Sequence, residues 1–258
     1  MECWHMSGAG NDFMVIDARG ETLDFSKLAK ELCTLSGADG FMAVDNTDQA
    51  DFRLHFYNSD GSRGEMCGNG ARCVCRFAYE HGIAPEHMTV LTDAGIVPGQ
   101  RLDENQYRVR LNLPSVADLQ RKQDIAYIEL GNPGVPHAVL EAENPTWENR
   151  EALRELGKSL RYDPAFPKGA NVNFYSWLEP GHVQILTYER GVEDFTRACG
   201  TGTGSTAFVL YKLGGLPGKY LVAEAPGGTL KVKLTAEGED VSVIELEGPT
   251  EVLKAYEI

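Results

Sequence analysis

The segment Cys67-Gly68-Asn69-Gly70 returns later in the chain as Cys199-Gly200-Thr201-Gly202. Each copy follows a polar turn and a run with the composition of a β-strand, Asp51–Tyr57 before the first and Val183–Tyr188 before the second. A single Cys-Gly-x-Gly segment is typical of a tight turn. Two copies in matched surroundings indicate an internal repeat of about half the chain.

Each cysteine stands at the start of a helical stretch. Gly82 and Gly214 each lie 15 residues past their cysteine, and glycine is the usual residue just beyond a helix end, where the backbone turns left-handed. Residues 71–79 and 205–213 are apolar around much of the helix circumference, which is typical of a helix buried inside a fold. The pattern predicts an α/β (α+β) protein in which a curved, mainly antiparallel sheet or barrel wraps a central helix, and does so twice.

The repeat extends beyond the cysteine segments and sets the predicted domains. Glycine turns lead into strands at 8–17 and 134–141, and helices are predicted from Phe25 to Cys33 and from Trp147 to Leu160, the latter with Leu153, Leu156 and Leu160 on one face. The predicted halves are residues 1–116, with 250–258 returning to them, and residues 117–249. The two cysteines are expected to meet in the cleft between the halves.

Composition limits the partners and the compartment. The 258 residues are 42% hydrophobic and carry a formal charge of −14, which argues against nucleic acid or an anionic membrane as partner. No apolar run is long enough for a transmembrane helix, and the N-terminus lacks the pattern of a signal peptide. We therefore expect a cytoplasmic protein whose six cysteines stay reduced.

The cysteine segments can support acid–base chemistry. The first N–H groups of a helix and the positive end of its dipole bind an anion such as a carboxylate, and the same field lowers the pKa of a thiol. Two such sites could hold one carboxylate and place a sulfur on either face of its α-carbon, as an enzyme that inverts a carbon centre requires. Cys73 and Cys75 have no counterparts in the second helix and are expected in the core. With Cys67 they match no common zinc spacing, so no metal is predicted.

Several segments together resemble the diaminopimelate epimerase family. They are Gly8–Phe13, Tyr57–Ser62, Glu65–Cys73, Tyr188–Gly191 and Ala198–Gly202. The resemblance covers essentially the whole chain and implies an isomerase with no cofactor, neither pyridoxal phosphate nor a metal, acting in lysine and peptidoglycan precursor synthesis. It also implies two pseudo-symmetric halves, as read from the repeat, and interconversion of LL- and meso-diaminopimelate.

The resemblance assigns roles residue by residue. Cys67 and Cys199 are the implied acid and base, and His137 and Glu189 are implied to set the protonation of the thiols. Substrate binding is implied for Asn11, Asn58, Gly68, Asn69, Asn171, Arg190, Gly200 and Thr201. Dimers occur among such proteins, so a homodimer is also an expectation.

Three departures from common family residues concern the substrate. Val135 stands where many members carry Asn, Phe195 where related sequences commonly have an acidic residue, and Gly40 where some members have Gln. The apolar gain would suit a substrate with a less charged far end, whereas Asn58, Asn171 and Arg190 favour a second carboxylate. The alternatives are therefore a racemase of another amino acid, such as histidine, by the same two-cysteine mechanism, and a non-enzymatic thiol redox sensor on the same scaffold.

Overall fold

The computed structural model describes residues 1–64 and 67–258; Glu65 and Met66, part of a motif quoted above, lie outside the described residues. The chain divides into two compact units, residues 1–110 with 248–258, and residues 111–247. Both divisions fall inside continuous strands, Gln106–Leu111 and Asp240–Pro249. The predicted boundaries at 116 and 249 differ from these because no linker composition marks the change of unit.

The first unit begins with a hairpin and contains two helices, α1 and α2. Its elements are β1 Glu2–Gly8, β2 Asn11–Asp17, α1 Phe25–Ser36, β3 Gly40–Asp45, β4 Phe52–Asn58, β5 Arg63–Gly64, α2 Gly68–Glu80, β6 His87–Thr92, β7 Gly95–Arg101 and β8 Gln106–Leu111.

The second unit repeats the same succession, and the chain then returns to the first. The elements are β9 Pro114–Lys122, β10 Ile125–Gly131, β11 Gly134–Glu141, α3 Arg150–Arg161, β12 Asn171–Glu179, β13 His182–Glu189, β14 Asp194–Thr196, α4 Gly200–Lys212, a 3₁₀ turn Pro217–Lys219, β15 Tyr220–Ala225, β16 Gly228–Glu237, β17 Asp240–Pro249 and β18 Glu251–Glu257.

Strand pairing is the same in the two units. Parallel pairs occur where a helix connects two strands: β2 with β3 across α1 and β4 with β6 across α2 in the first unit, and β11 with β12 across α3 and β13 with β15 across α4 in the second. Hairpin-linked strands pair antiparallel, for example β1 with β2 and β10 with β11. Parallel strands need a crossover, and a helix supplies it. The predicted fold class, a mainly antiparallel α/β repeat, is confirmed.

Helices α2 and α4 are the central helices of their units. Almost every residue from Gly68 to Ala78 is buried, as is most of Gly200–Leu210. The strands around α2 include β1, β2, β3 and β7, and those around α4 include β10, β11, β12 and β16. Burial on all sides explains why α4 lacks the one-sided apolar stripe of a surface helix, whereas α2 has its polar residues on one side and buries that side as well.

Both central helices end in the same way. Gly82 and Gly214 adopt the left-handed conformation, at φ 65° and 75°. The residue after each glycine donates back to the helix, Ile83 to the carbonyl of Ala78 at 2.8 Å and Gly215 to that of Leu210 at 2.9 Å. This 6→1 bond satisfies a carbonyl that the helix end would otherwise leave without a donor. The predicted glycine stops are confirmed.

Helix α3 differs from its prediction in its start and its buried face. It begins at Arg150, so Trp147 belongs to the preceding turn. Leu156 is 43% exposed, and the buried stripe runs through Gly157 and Leu160 instead. A Cβ on Gly157 would lie 3.0 Å from the ring of Tyr188. The helix therefore approaches β13 through its glycine, which a count of leucines does not reveal.

No helix among residues 1–64 and 67–258 is long and apolar enough to cross a membrane.

Candidate active site

Cys67 lies at the N-terminal end of α2. It is the residue that caps the helix, in an extended conformation (φ −130°, ψ 118°), and its carbonyl accepts the first helical hydrogen bond from Ala71 at 2.7 Å. The residue is half-buried. The N–H groups of the first turn have no carbonyl partner inside the helix, so this end favours an anion.

Glycines let the β1–β2 hairpin and β3 pack closely against this helix end. A Cβ on Gly8 would lie 2.6 Å from the carbonyl oxygen of Asn69 and 3.0 Å from the sulfur of Cys73, and a Cβ on Gly70 would overlap the end of the Met42 side chain. The first turn of α2 therefore has a close neighbour that only glycine permits.

A chain of hydrogen bonds runs from the inside of α2 to the surface of the first unit. Arg72 donates from Nη2 to Oδ1 of Asn69 (3.1 Å), and Asn69 donates from Nδ2 to Oδ1 of Asn11 (2.6 Å). Asn11 then donates from Nδ2 to Oδ2 of Asp39 (3.2 Å). Two residues with predicted roles in substrate binding, Asn11 and Asn69, are thus brought together.

Arg72 and Asp39 were not among the residues predicted from the sequence. Arg72 is fully buried, and burial lowers its pKa to about 10, so it stays charged at neutral pH. Its Nη1 also donates to the carbonyl of Gly68 at 3.2 Å. The available signal was an arginine within a predicted buried helix, because a buried charge requires partners.

Asn58 and Gly40 lie at neighbouring ends of β4 and β3. Asn58 is the last residue of β4 and is exposed, and its Nδ2 donates to the hydroxyl of Ser62 at 2.9 Å. Gly40 pairs with it in the sheet, and a Cβ there would lie 2.9 Å from the carbonyl oxygen of Tyr57. A glutamine at position 40 would collide with β4, so the departure at Gly40 follows from packing.

Cys199 repeats the geometry of Cys67 in the second unit. It caps α4 in an extended conformation (φ −124°, ψ 106°). Its carbonyl accepts from both the backbone N–H and the hydroxyl of Thr203, each at 2.9 Å, and its sulfur lies 3.6 Å from the hydroxyl oxygen of Thr201. A Cβ on Gly202 would overlap the amide oxygen of Asn173 and lie 3.2 Å from the sulfur of Cys199.

His137 is fully buried on β11 beside the end of β12. Nδ2 of Asn173 lies 3.2 Å from its Nδ1, and the same amide group donates to the carbonyls of Ala138 at 3.0 Å and Asn171 at 3.1 Å. Nε2 has no hydrogen-bond partner among the described residues. Burial, and then the charge of Arg190, lowers the pKa of His137 to about 3. This histidine is a neutral N–H donor at physiological pH.

Asn171, the first residue of β12, is hydrogen-bonded to Arg190, the residue after β13. Asn171 donates from Nδ2 to the carbonyl of Pro136 (3.0 Å) and accepts at Oδ1 from the backbone N–H of Arg190 (2.9 Å). The guanidinium of Arg190 donates to the carbonyl of Lys168 at 3.1 Å. Glu189, the residue before Arg190, is half-buried at the end of β13. His137, Asn171 and Arg190 are therefore neighbours in the second unit, and Asn173, which sequence reasoning missed, connects them to Gly202.

The other departures have different surroundings. Phe195 is 5% exposed in the core of the second unit, with its ring centroid 5.3 Å from that of Tyr188. The interpretation that it shapes the far end of a substrate is not needed, because core packing accounts for an aromatic residue there. Val135 is half-buried and pairs with Leu130 in the β10–β11 hairpin.

Cys73 and Cys75 are core residues, as expected. Both are fully buried, and burial raises the pKa of each thiol to about 12. A Cβ on Gly99 would lie 2.6 Å from the sulfur of Cys75, so β7 packs directly on it. Within the described ranges there is no group of three or more His, Cys, Asp or Glu side chains that could hold a metal ion.

Solved structures with the same fold include a phenazine biosynthesis protein and a hydroxyproline epimerase. A PhzF-family phenazine biosynthesis protein of Bacillus anthracis is 16% identical and superposes with a TM-score of 0.76. The match covers 100% of this chain and 98% of the Bacillus anthracis chain. A hydroxyproline epimerase of Agrobacterium vitis is 18% identical with a TM-score of 0.73, and the match covers 100% of this chain and 90% of the epimerase chain. At this identity the comparisons establish the fold class.

Sequence comparison establishes the family. A statistical model of the diaminopimelate epimerase family matches residues 3–116 and 130–253. The diaminopimelate epimerase of Aquifex aeolicus is 36% identical over 100% of this chain and 96% of its own length, and that of Archaeoglobus fulgidus is 33% identical over 90% and 89%. The chain belongs to the diaminopimelate epimerase family, a family of isomerases, and the resemblance stated from the motifs is confirmed.

Proposed function

We propose that this protein interconverts LL- and meso-diaminopimelate by moving an α-proton between two thiols. The observation that supports the proposal most directly is the duplicated helix start, with Cys67 and Cys199 at the capping positions of two buried helices. Family membership supports the same substrate, and the product would feed lysine and peptidoglycan precursor synthesis.

The reaction balances with two cysteines and no cofactor. One cysteine, as thiolate, takes the α-proton: the C–H bond breaks, an S–H bond forms, and the electron pair stays on the α-carbon and its carboxylate. The other cysteine, as thiol, donates its proton to the opposite face of that carbon and becomes a thiolate. The cysteines exchange roles with the direction of the reaction, and each must reach its proton for the transfer to occur.

The residues around each cysteine have proposed parts in this reaction. The N–H groups at Gly68, Asn69, Gly200 and Thr201 would bind the carboxylate next to the reacting carbon and stabilise the developing charge. Arg190, held by Asn171, would bind the second carboxylate, since a guanidinium matches its geometry.

His137 and Glu189 have a different proposed role. His137 is neutral, so we propose that it orients a thiol or substrate through its Nε2 rather than supplying the proton that is transferred. Glu189, at the end of β13, is proposed to set the protonation of a thiol.

Hydrogen exchange in D₂O tests the proposal. Reduced protein without added cofactor is incubated with LL-diaminopimelate, histidine, lysine or glutamate, and α-deuterium is measured by NMR or mass spectrometry. Deuterium in diaminopimelate alone, with formation of the meso isomer, is the expected result. Exchange confined to another amino acid would make the protein a racemase of that compound, and folded, reduced protein that exchanges none would favour a thiol sensor.

Location and assembly are separate proposals. We propose a cytoplasmic location, where the two thiols of the proposed mechanism would stay reduced. A homodimer is expected by family resemblance, and light scattering of the purified protein tests it.

A further inference from the structure

The strongest unexplained feature is the buried end of the hydrogen-bond chain Arg72–Asn69–Asn11–Asp39. Arg72 is 0% exposed and Asn69 is 2% exposed, whereas Asn11 is half-buried and Asp39 is exposed. The chain thus connects a charge inside α2 to a charge on the surface, and its two middle members are carboxamides. Asn69 lies in the first turn of α2, two residues past Cys67.

The charged ends determine which way both carboxamides point. A guanidinium can only donate and a carboxylate can only accept, whereas a carboxamide can turn over and exchange the two functions. Asn69 must therefore present its oxygen to Arg72, which leaves its nitrogen to donate to Asn11. Asn11 accepts at its oxygen from Asn69 and donates from its nitrogen to Asp39. The donor-to-acceptor direction imposed by Arg72 is therefore the same as the direction imposed by Asp39.

We propose that Arg72 and Asp39 are positioning residues that hold the carboxamide of Asn11 with its N–H groups, rather than its oxygen, available to a bound carboxylate beside Cys67. The assignment deepens the proposed function, since it gives a reason why this helix end would select a carboxylate. Asn11 carries two N–H bonds, and the bond to Asp39 uses one of them. Were the amide reversed, its oxygen would repel a carboxylate.

Alkylation of Cys67 by a matched pair of reagents tests this independently of the natural substrate. Iodoacetate carries a carboxylate and iodoacetamide is its neutral analogue, so the ratio of their rate constants reports anion recognition and is insensitive to the fraction of thiolate. Trypsin cleaves after Arg63, Arg72 and Arg197, which yields peptides that each contain only Cys67 or only Cys199. Cys199 is therefore an internal control in every sample.

Two variants at Asp39 separate the hydrogen bond from the charge. Asp39→Ala and Asp39→Asn remove the same negative charge, but only asparagine keeps an oxygen that can accept from Asn11. We expect Asp39→Ala to show a ratio at Cys67 about threefold below that of Asp39→Asn, since one hydrogen bond contributes a factor of this order. The ratio at Cys199 is expected to be equal in both. Equal ratios at Cys67 would overturn the proposal.

Variants at Arg72 test the other end. In Arg72→Met the tryptic peptide runs on to Arg76 and also contains Cys73 and Cys75, so alkylation of Cys67 is assigned there from fragment ions. We expect Arg72→Met to lower the ratio at Cys67 about fivefold and Arg72→Lys, which keeps the cleavage site, to restore most of it. A folded Arg72→Met protein with the wild-type ratio would show that Arg72 does not position the chain; if that variant does not fold, the Asp39 pair still decides. If diaminopimelate is not the substrate, the alkylation result still stands, so the two proposals can fail separately.

Discussion

Helices α2 and α4 have the same kinds of residue at their two ends and different residues in their middle turns. Each has a cysteine at its cap, glycines in its first turn and a left-handed glycine after its last turn. The fifth residue after the cysteine is Arg72 in one helix and Gly204 in the other, where a Cβ would lie 2.5 Å from Leu111. The common parts are those that present a thiol and an anion-binding helix end. The interiors instead follow the packing of each unit.

The polar groups that support the two cysteines also differ in charge. The chain beside Cys67 ends in a guanidinium and a carboxylate. Beside Cys199 the corresponding network is formed by Asn173, with Thr187 donating to its Oδ1 at 3.0 Å and the neutral His137 next to its Nδ2. The hydrogen-bond chain beside Cys67 thus ends in two ionic groups, whereas Asn173 is held by neutral groups.

Removal of either thiol is expected to have the largest effect. If the sites are equivalent in the reaction, Cys67→Ala and Cys199→Ala each lower the epimerisation rate by at least about 10³-fold, because each removes a proton carrier. Conversion of LL- to meso-diaminopimelate measures this, and Cys73→Ala, in the core, is the control. Retained epimerisation in either variant would contradict the two-thiol mechanism.

Matched glycine substitutions compare the two helix starts. Gly202→Ala would drive a methyl group into the amide of Asn173 next to the sulfur of Cys199, whereas Gly70→Ala meets the flexible end of Met42. We expect Gly202→Ala to lower kcat about 100-fold, since small displacements of reacting groups are costly, and Gly70→Ala to have a clearly smaller effect. Steady-state kinetics with circular dichroism as a check of folding measures both; equal losses would mean that the two starts tolerate strain alike.

The repeat itself could be predicted from the sequence. The paired Cys-Gly-x-Gly segments and Gly82 and Gly214 are local signals, because glycine has few reasons to recur at a fixed distance from a cysteine except helix geometry. The strands beside them follow from alternation of apolar residues, which depends only on neighbours in the chain.

The parts that could not be predicted depend on contacts distant in sequence. Gly157 is in the buried stripe of α3 because Tyr188, on another strand, lies against it. Arg72 acquires its role only when the fold brings Asn11 to Asn69, 58 residues away. Unit boundaries inside β8 and β17 leave no mark in composition. Local patterns therefore located the cysteines but not the groups that hold them.

The neutral histidine of the second unit should make stability depend on pH. Folded His137 stays uncharged down to its pKa of about 3, while an unfolded histidine takes up a proton near its ordinary value of 6.5. Between these values the unfolded state binds more protons, so stability falls as pH falls. From pH 6.5 to 5 the wild type should lose roughly 2 kcal/mol more than His137→Gln, at about 1.4 kcal/mol per pH unit.

Urea unfolding at the two pH values measures that difference. His87→Gln, the same substitution at an exposed histidine, is the matched control. Arg72, the buried charge of the first unit, has a pKa of about 10 and does not titrate in this range. An unchanged slope in His137→Gln would show that the acid sensitivity does not arise at this site.

The smallest expected effect concerns the segment that leads into α4. The guanidinium of Arg197 lies 3.9 Å from the ring centroid of Trp147, and Arg150 lies 4.5 Å from the same ring. The carbonyl of Arg197 also accepts from the backbone N–H of Gly227 at 2.8 Å. Arg197 is exposed, so Arg197→Gln should lower the free energy of unfolding by only about 0.5–1 kcal/mol.

The backbone hydrogen bond from Gly227 to the carbonyl of residue 197 is kept in Arg197→Gln. Cys199 should therefore keep its position, and kcat should change by less than about twofold, which is about the smallest difference that steady-state kinetics resolves. The matched control is Lys254→Gln, which removes a cation 4.7 Å from the centroid of the half-buried ring of Tyr256 in the first unit. It should lower the free energy of unfolding by less, because one cation rather than two contacts that ring. A fall in kcat with Arg197→Gln but not with Lys254→Gln would mean that the cation–π contact, and not the backbone bond to Gly227, holds the approach to Cys199.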